Sequence, residues 1–587
     1  MVLFHAQSHL ELPMALPNFL LVFILLSSIQ VLSYGTISTD HNQTIQAMLI
    51  QTCYNIENQS SCLSNIQARL ENQNPNSILK AALETTLNEA RQAMGVVTKF
   101  NTLSISPREQ IAIQDCQELL DFSVSELAWS LTEMNKIRAG STNFHYEGDL
   151  KAWLSAALSN QDTCLEGFEG TDRRLERFIR GSLAQSEKQK LTQYRSDFIV
   201  SWRQFHPLMQ WYPLFLTSSP SSFPKQVTQL IGNVLTLYSQ LHSLPFKPSR
   251  NNTKTNQAME YPKWVTEGDK DLLAPSPNGM HVDAVVALDG SGHYRSIIQA
   301  VNEAPNYSNR RYIIYIKKGV YRENIDMKKK KTNIMFVGDG IGATVVTGDR
   351  NFRQGWTTFR TATVAVSGRG FIARDMTFRN TAGPQSHQAV ALRVDSDQSA
   401  FFRCSMEGYQ DTLYIHSLRQ FYRECNIHGT IDFIFGNGAA VLQNCKIYTR
   451  QPLPMQKVTI TAQGRKDPHQ STGFSIQDSY VYATMPTYLG RPWKQYSRTV
   501  YLNTYMSGLV QPRGWLEWYG DFALSTLWYG EYRNYGPGSS LSGRVQWPGY
   551  HIIRDAAAAN FFTAGRFIDG RSWLPHTGIK FTAGLTN

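Results

Sequence analysis

Apolar positions fall into two regimes along the chain. From about His41 to Leu244 they recur at spacings of three and four, as in "ILKAALETTLNEARQAM" (Ile78 to Met94) and "CQELLDFSVSELAWSLTEM" (Cys116 to Met134), with polar faces between. This period predicts an all-α domain, a four-helix bundle spanning residues 36–244. Within it, residues 187–225 break the pattern: "WRQFHPLMQWYPLFLTSSPSSFP" carries four prolines and many aromatics, and reads as an irregular insertion. A polar, Pro-bearing stretch over 245–264 reads as a linker.

Beyond Trp264 the period changes to two. Short runs such as "RRYIIYIKKGVY", "TNIMFVGDG" and "TATVAVSG" alternate with Gly and Asn, which predicts strands. These strands repeat one another: "FFRCSMEGYQDT" and "FYRECNIHGTID" superpose with a shift of 21, and "LQNCKIYTR" follows about 20 further on. Cys404, Cys425 and Cys445 keep the same phase. A period near 20 built from short strands is the mark of a solenoid, here a parallel β-helix over residues 265–587.

Charge and composition narrow the partners. The formal net charge is +11, and from Tyr261 onward there are 37 Lys+Arg against 24 Asp+Glu. A basic solenoid seeks an anionic partner, whether nucleic acid, a membrane surface or an anionic polysaccharide; charge alone does not choose among them, and the lack of a recognition motif makes nucleic acid the weakest. The uncharged run "FLLVFILLSSIQVL" (Phe19 to Leu32) suits a signal peptide or N-terminal anchor within residues 1–35, and no stable membrane partner is expected. Sequons at Asn42, Asn58, Asn251 and Asn306 fit passage through the secretory route to the extracellular space. There, Cys53, Cys62, Cys116 and Cys164 imply two bridges; the short Cys53 to Cys62 interval suits a local one, although three connectivities are open.

Against this background two acids stand out. Asp411 in "GYQDTLY" and Asp432 in "GTIDFIFGN" each follow a Gly by three, inside apolar and aromatic surroundings. On consecutive coils they would lie about 4.8 Å apart. Two carboxylates that close do not ionise together, so one keeps a proton while the other is charged. Such a pair serves either a retaining glycosidase or ester hydrolysis through an acyl-enzyme. The neighbouring amides of Gln410 and, one coil earlier, Gln388 favour the ester reading, because a tetrahedral oxyanion needs donors. A structural role for each Asp in its own turn is the bland alternative.

The motifs "GYQDTLY", "GTIDFIFGN", "LGRPW" (Leu489 to Trp493), "GVYRE" (Gly319 to Glu323) and "QAVALR" (Gln388 to Arg393) together resemble plant pectin methylesterases from about Trp264 to the C-terminus, with a catalytically idle pectin-binding wall protein as the alternative from a different class. The helical half resembles the inhibitor-type pro-region of longer members, which implies an intramolecular contact with the chain's own catalytic half. The resemblance implies a right-handed parallel β-helix that removes methyl esters from homogalacturonan in the cell wall, releasing methanol. It implies Asp432 as nucleophile, Asp411 as acid and then base, and Gln388 and Gln410 as the oxyanion hole. Arg491 and Trp493 would bind substrate, with Thr358 in "WTTFR" a further contact. It also implies a Cys425–Cys445 disulfide, where spacing alone allows Cys404–Cys425 equally. The linker lacks the dibasic cluster that members of the family often carry.

Other signals weigh less. "GDGIGA" (Gly338 to Ala343) resembles a phosphate loop but is followed by a strand pattern, so a coil turn is expected. "KKKK" (Lys328 to Lys331) reads mainly as a solvated turn with a minor part in holding polygalacturonate. The aromatics of "GWLEWYG" (Gly514 to Gly520) are divided between a sugar cleft and packing. Histidines lack metal-ligand spacing, so no cofactor and no catalytic metal are expected.

Overall fold

A computed structural model describes residues 37–56, 59–70, 74–102, 106–138, 146–171, 223–241 and 281–586. The N-terminal apolar run, the linker and most of the irregular segment lie outside the described residues.

The first half is helical. Helices α1 (Ile37–Thr52) and α2 (Gln59–Gln67) precede four longer ones: α3 (Pro75–Thr98), α4 (Pro107–Arg138), α5 (Tyr146–Glu166) and α6 (Phe223–Leu241). Helix α3 starts where it does because Asn74 accepts from Ser77 N at 2.8 Å while Pro75 takes the first helical position, where a missing N–H costs nothing. The long helices close over Leu83, Ile113, Leu119, Leu154, Leu158, Ile231 and Leu235, all buried. Helix α6 corrects the end of the irregular segment, because ordered helix begins at Phe223, with Pro224 in the first turn where its nitrogen has no intrahelical partner. The bridges are Cys53–Cys62 and Cys116–Cys164, the second tying α4 to α5.

The second half is a right-handed parallel β-helix. Among the described residues its strands form one 17-stranded and one 7-stranded sheet, every pairing parallel. Registered neighbours climb the coils: Phe401 pairs with Tyr422, Tyr422 with Leu442, Leu442 with Ile476 and Ile476 with Tyr501, all five buried in the lumen. The alternate residues Phe421, Val441 and Val500 are buried as well, under the C-terminal helices Ala556–Asn560, Ala564–Phe567 and Gly570–Trp573. Coverage of both faces is why these strands read as near-continuous apolar runs.

A corner residue with positive φ recurs once per coil: Asp375, Arg403, Glu424, Asn444, Asp478, Asn503 and Arg533. Asp and Asn tolerate this left-handed conformation best, which accounts for much of the polar punctuation. Cys404, Cys425 and Cys445 each follow such a corner and point inward.

The implied Cys425–Cys445 bridge is corrected here, since all three thiols are free and buried. Cys425 Sγ donates to Phe401 O (3.4 Å) and Cys445 Sγ to Tyr422 O (3.5 Å), each toward the coil before it. In-register coils keep side chains parallel at about 4.8 Å, whereas a disulfide draws its Cβ atoms to about 3.8 Å on converging vectors.

The 7-stranded sheet carries the site. Its members in chain order are β1 (Ile325–Met327), β2 (Val364–Val366), β3 (Leu392–Val394), β4 (Leu413–Ile415), β5 (Ile431–Gly436), β6 (Val458–Gln463) and β7 (Thr487–Gly490). One outward column runs across it, from Asp326 through Ala365, Arg393, Tyr414 and Phe435 to Ala462. Helices α4 and α5 lie over this column, so bundle and sheet share one apolar cluster that includes Tyr414, Phe435 and Ala462.

Candidate active site

Asp411 sits two residues before β4 and Asp432 near the start of β5, at φ +61° and +51°. Asp411 N donates to Ile431 O at 3.1 Å, which puts the two acids on adjoining coils. The register of β5 against β6 slips between Ile431 and Ile434. This bulge re-aims Asp432, whose side chain a regular strand would direct elsewhere. Both acids are almost fully buried beneath the bundle, at 8% and 5% exposure, so neither is a solvated turn residue.

Their surroundings differ. Asp432 is held by three groups: Arg491 Nε lies 2.9 Å from Oδ1, Arg491 Nη2 lies 2.6 Å from Oδ2, and Thr459 Oγ1 donates to Oδ1 at 2.6 Å. The Asp432 N–H in turn donates to Thr459 Oγ1 at 3.0 Å. Such a fork and hydroxyl favour the carboxylate. Asp411 has no side-chain hydrogen bond among the described residues. Burial first, and then the charge of Asp432, push its carboxyl well above the usual range, against the pull of Arg491. The two acids are thus held differently, Asp432 in an ion pair with Arg491 and Asp411 in a buried site that disfavours its charge.

Gln388 and Gln410 occupy the same edge on successive coils. The Gln410 carbonyl accepts from Ala389 N (3.2 Å) and that of Gln388 from Phe352 N (2.9 Å), which fixes both backbones while the amide side chains keep no partner among the described residues. Arg491 stacks on Trp518 at 4.3 Å, and Trp493 meets Phe435 edge-on at 5.9 Å. Tyr414 and Phe435 stack at 4.2 Å and pave the groove floor beside the acids. Thr358 opens a short 3-10 turn before β2, two coils from Asp411, without a hydrogen bond to either acid. The structure thus brings together Asp411, Asp432 and Arg491, with both glutamines on the same edge, and leaves Thr358 on the flank.

Sequence reasoning missed Thr459 and the floor formed by Tyr414 and Phe435. Thr459 pairs with Ile431 one coil on, but the insertion "RQPLPMQK" lengthens that coil and hides it from a 21-residue repeat. Within "GWLEWYG", Trp515 is buried and stacks on Tyr529 at 4.1 Å, while Trp518 covers Arg491. "GDGIGA" is a turn between two strands. "KKKK" is a turn that is solvated only in part: Lys328 and Lys330 are exposed, whereas Lys331 is buried, donating to Asn302 O at 2.7 Å, and Lys328 and Lys329 meet acids of α4.

A parallel β-helix with paired carboxylates beside free amide donors defines a carboxylic ester hydrolase. Residues 283–571 match the family model "Pectinesterase", and residues 47–198 match "Plant invertase/pectin methylesterase inhibitor". A pectinesterase/pectinesterase inhibitor of Arabidopsis thaliana is 58% identical over 97% of this chain and 99% of its own length. A pectinesterase/pectinesterase inhibitor of Prunus persica is 47% identical over 86% and 88%. Among solved structures, the pectin methylesterase from carrot is 54% identical with a TM-score of 0.52, covering 52% of this chain and 98% of that one. The chain belongs to the pectinesterase family, with an inhibitor-type helical domain ahead of the esterase.

Proposed function

We propose that this chain hydrolyses the methyl esters of homogalacturonan by way of an aspartyl acyl-enzyme, with Asp432 as nucleophile. The asymmetry of the two acids carries this reading: Arg491 and Thr459 hold Asp432 as a carboxylate, while burial keeps Asp411 protonated. Asp432 attacks the ester carbonyl carbon, and the amides of Gln388 and Gln410 stabilise the resulting oxyanion. Collapse expels methoxide, which takes the Asp411 proton and leaves as methanol. Asp411, now a carboxylate, accepts a proton from water, whose oxygen attacks the acyl-enzyme. The galacturonate carboxylic acid departs and Asp432 is regenerated. Trp493, Trp518 and the Tyr414–Phe435 floor offer apolar faces to sugar rings, and Thr358 extends the groove by two coils.

Helices α4 and α5 cover this groove, so the full chain is self-inhibited until the bundle moves aside. The apolar N-terminal run and the exposed Asn306 sequon support delivery to the cell wall through the secretory pathway. The test is methanol release from highly methylated pectin. Asp432→Asn and Asp411→Asn should each remove most of the activity with the fold intact, and reducing ends produced without methanol would favour a glycosidase instead.

A further inference from the structure

On both flanks of the groove, cations of the esterase meet carboxylates of the bundle. On the β1–β3 side, Arg360 directs Nε to Asp115 at 2.5 Å and Nη2 to Glu118, both on α4, and Nη1 to its own domain's Asp326 at 3.0 Å. Lys328 reaches Glu118 at 2.8 Å and Lys329 reaches Glu126 at 2.9 Å. On the β6–β7 side, Lys466 meets Asp162 and Lys494 meets Glu166, each at 2.6 Å. Arg393 lies on the floor between, 1% exposed and flat on Phe359 at 3.4 Å. Its Nη1 donates to Phe359 O, its Nε faces Asp395 at 3.3 Å, and its Nη2 has no partner.

Without the bundle, Lys328, Lys329, Arg360 and Arg393 would face only Asp326 and Asp395. Three acids of α4 more than offset this excess of two, and two of them, Asp115 and Glu118, sit three apart on one helix face so that both reach one guanidinium. A neutral methyl ester offers no charge to such a fork; a free galacturonate does.

We propose that the groove flank formed by Arg360, Arg393, Lys328 and Lys329 is a recognition subsite for the free carboxylates of de-esterified galacturonan. The carboxylates of Asp115 and Glu118 imitate that ligand in the closed chain. Runs of the reaction's own product therefore compete with the bundle and open the groove. The inference rests on the pectinesterase reading for its ligand, and places carboxylate recognition one to three coils, roughly 5–15 Å, from Asp411.

The test is binding, made in the full chain with Asp432→Asn so that ester is not consumed. Polygalacturonate and fully methyl-esterified homogalacturonan are compared by calorimetry at fixed salt. Asp115→Asn with Glu118→Gln should tighten polygalacturonate binding about tenfold or more and the esterified polymer, which gains only from a freer groove, by far less. Adding Arg360→Gln should cancel the gain, whereas Lys446→Gln, an exposed cation on the other sheet, should not. A gain equal for both polymers, or one that survives Arg360→Gln, overturns the proposal. Independently of these variants, polygalacturonate should lower amide-exchange protection of α4 in the chain with native α4, and esterified polymer should not. Unchanged protection with polygalacturonate bound also overturns it. Because no turnover is read, loss of methanol release elsewhere leaves this result distinct.

Discussion

Arg491 grips Asp432 through both edges of its guanidinium, Nε at 2.9 Å from Oδ1 and Nη2 at 2.6 Å from Oδ2, while its flat face lies 4.3 Å from Trp518. A planar fork fixes both the charge and the direction of a nucleophile, which a point-like ammonium cannot do. Arg491→Lys should therefore lower kcat for methanol release roughly 10²-fold, the cost of a slightly misplaced reacting atom. KM should stay within about threefold, since charge at the groove is kept. Steady-state kinetics on highly methylated pectin separates the two; an equal loss in KM would assign Arg491 to ground-state binding instead.

Asp411 carries a cost of position. Burial and the Asp432 charge raise its folded value well above the ordinary 3.8, so the folded chain binds a proton that the unfolded chain has released. Stability then falls as pH rises above about 3.8, because the native state holds more protons than the unfolded one. Asp411→Asn removes this penalty. Its Tm should exceed that of the wild type at pH 7, by an amount equivalent to about 0.5–2 kcal/mol, and the difference should shrink toward pH 4 even as activity is lost. Calorimetry at the two pH values measures it.

The two glutamine amides predict a different signature. With no partner in the resting site, they engage only when the carbonyl oxygen gains charge. Gln388→Ala and Gln410→Ala should each reduce kcat about 10²–10³-fold with little change in KM. The double variant should lose less than the product of the two, because both donors act on one oxygen. Melting temperatures should be nearly unchanged, since neither amide supports a neighbour.

Much of this was legible because the solenoid converts sequence period into spatial contact: a shift of 21 residues is one coil, and it stacks Asp432 on Asp411 as the spacing says. The same rule failed where coils change length or where geometry is finer than register. Thr459 escaped because its coil is longer, and the bulge at Asp432 leaves no mark in composition. The stacked cysteines were in register yet unbonded, since stacking satisfies the Cα distance for a disulfide and not the Cβ approach. Arg360 and Lys329 were invisible as a group because their partners lie some 200 residues away on the bundle, where no local pattern reaches.

Closure of that bundle should itself depend on pH. Glu126 is buried against Lys329 at 2.9 Å, and burial raises its carboxyl from 4.5 to about 7 despite the ammonium. Asp115, Asp149 and Glu166 along the same seam are raised too, each by burial first. A group held above its free value contributes docking stability that is complete below about 4.5 and lost as pH climbs toward 7. The docked state should therefore be favoured at acid pH, with its equilibrium shifting about tenfold or more across that window, one factor of ten per unit of retained shift. Amide-exchange protection of α4 and α5 at pH 5 and pH 7.5 measures it. Glu126→Gln, which keeps the shape and the Asn160 contact but cannot ionise, should flatten the dependence; a slope that persists unchanged in this variant would assign it to the remaining seam carboxylates.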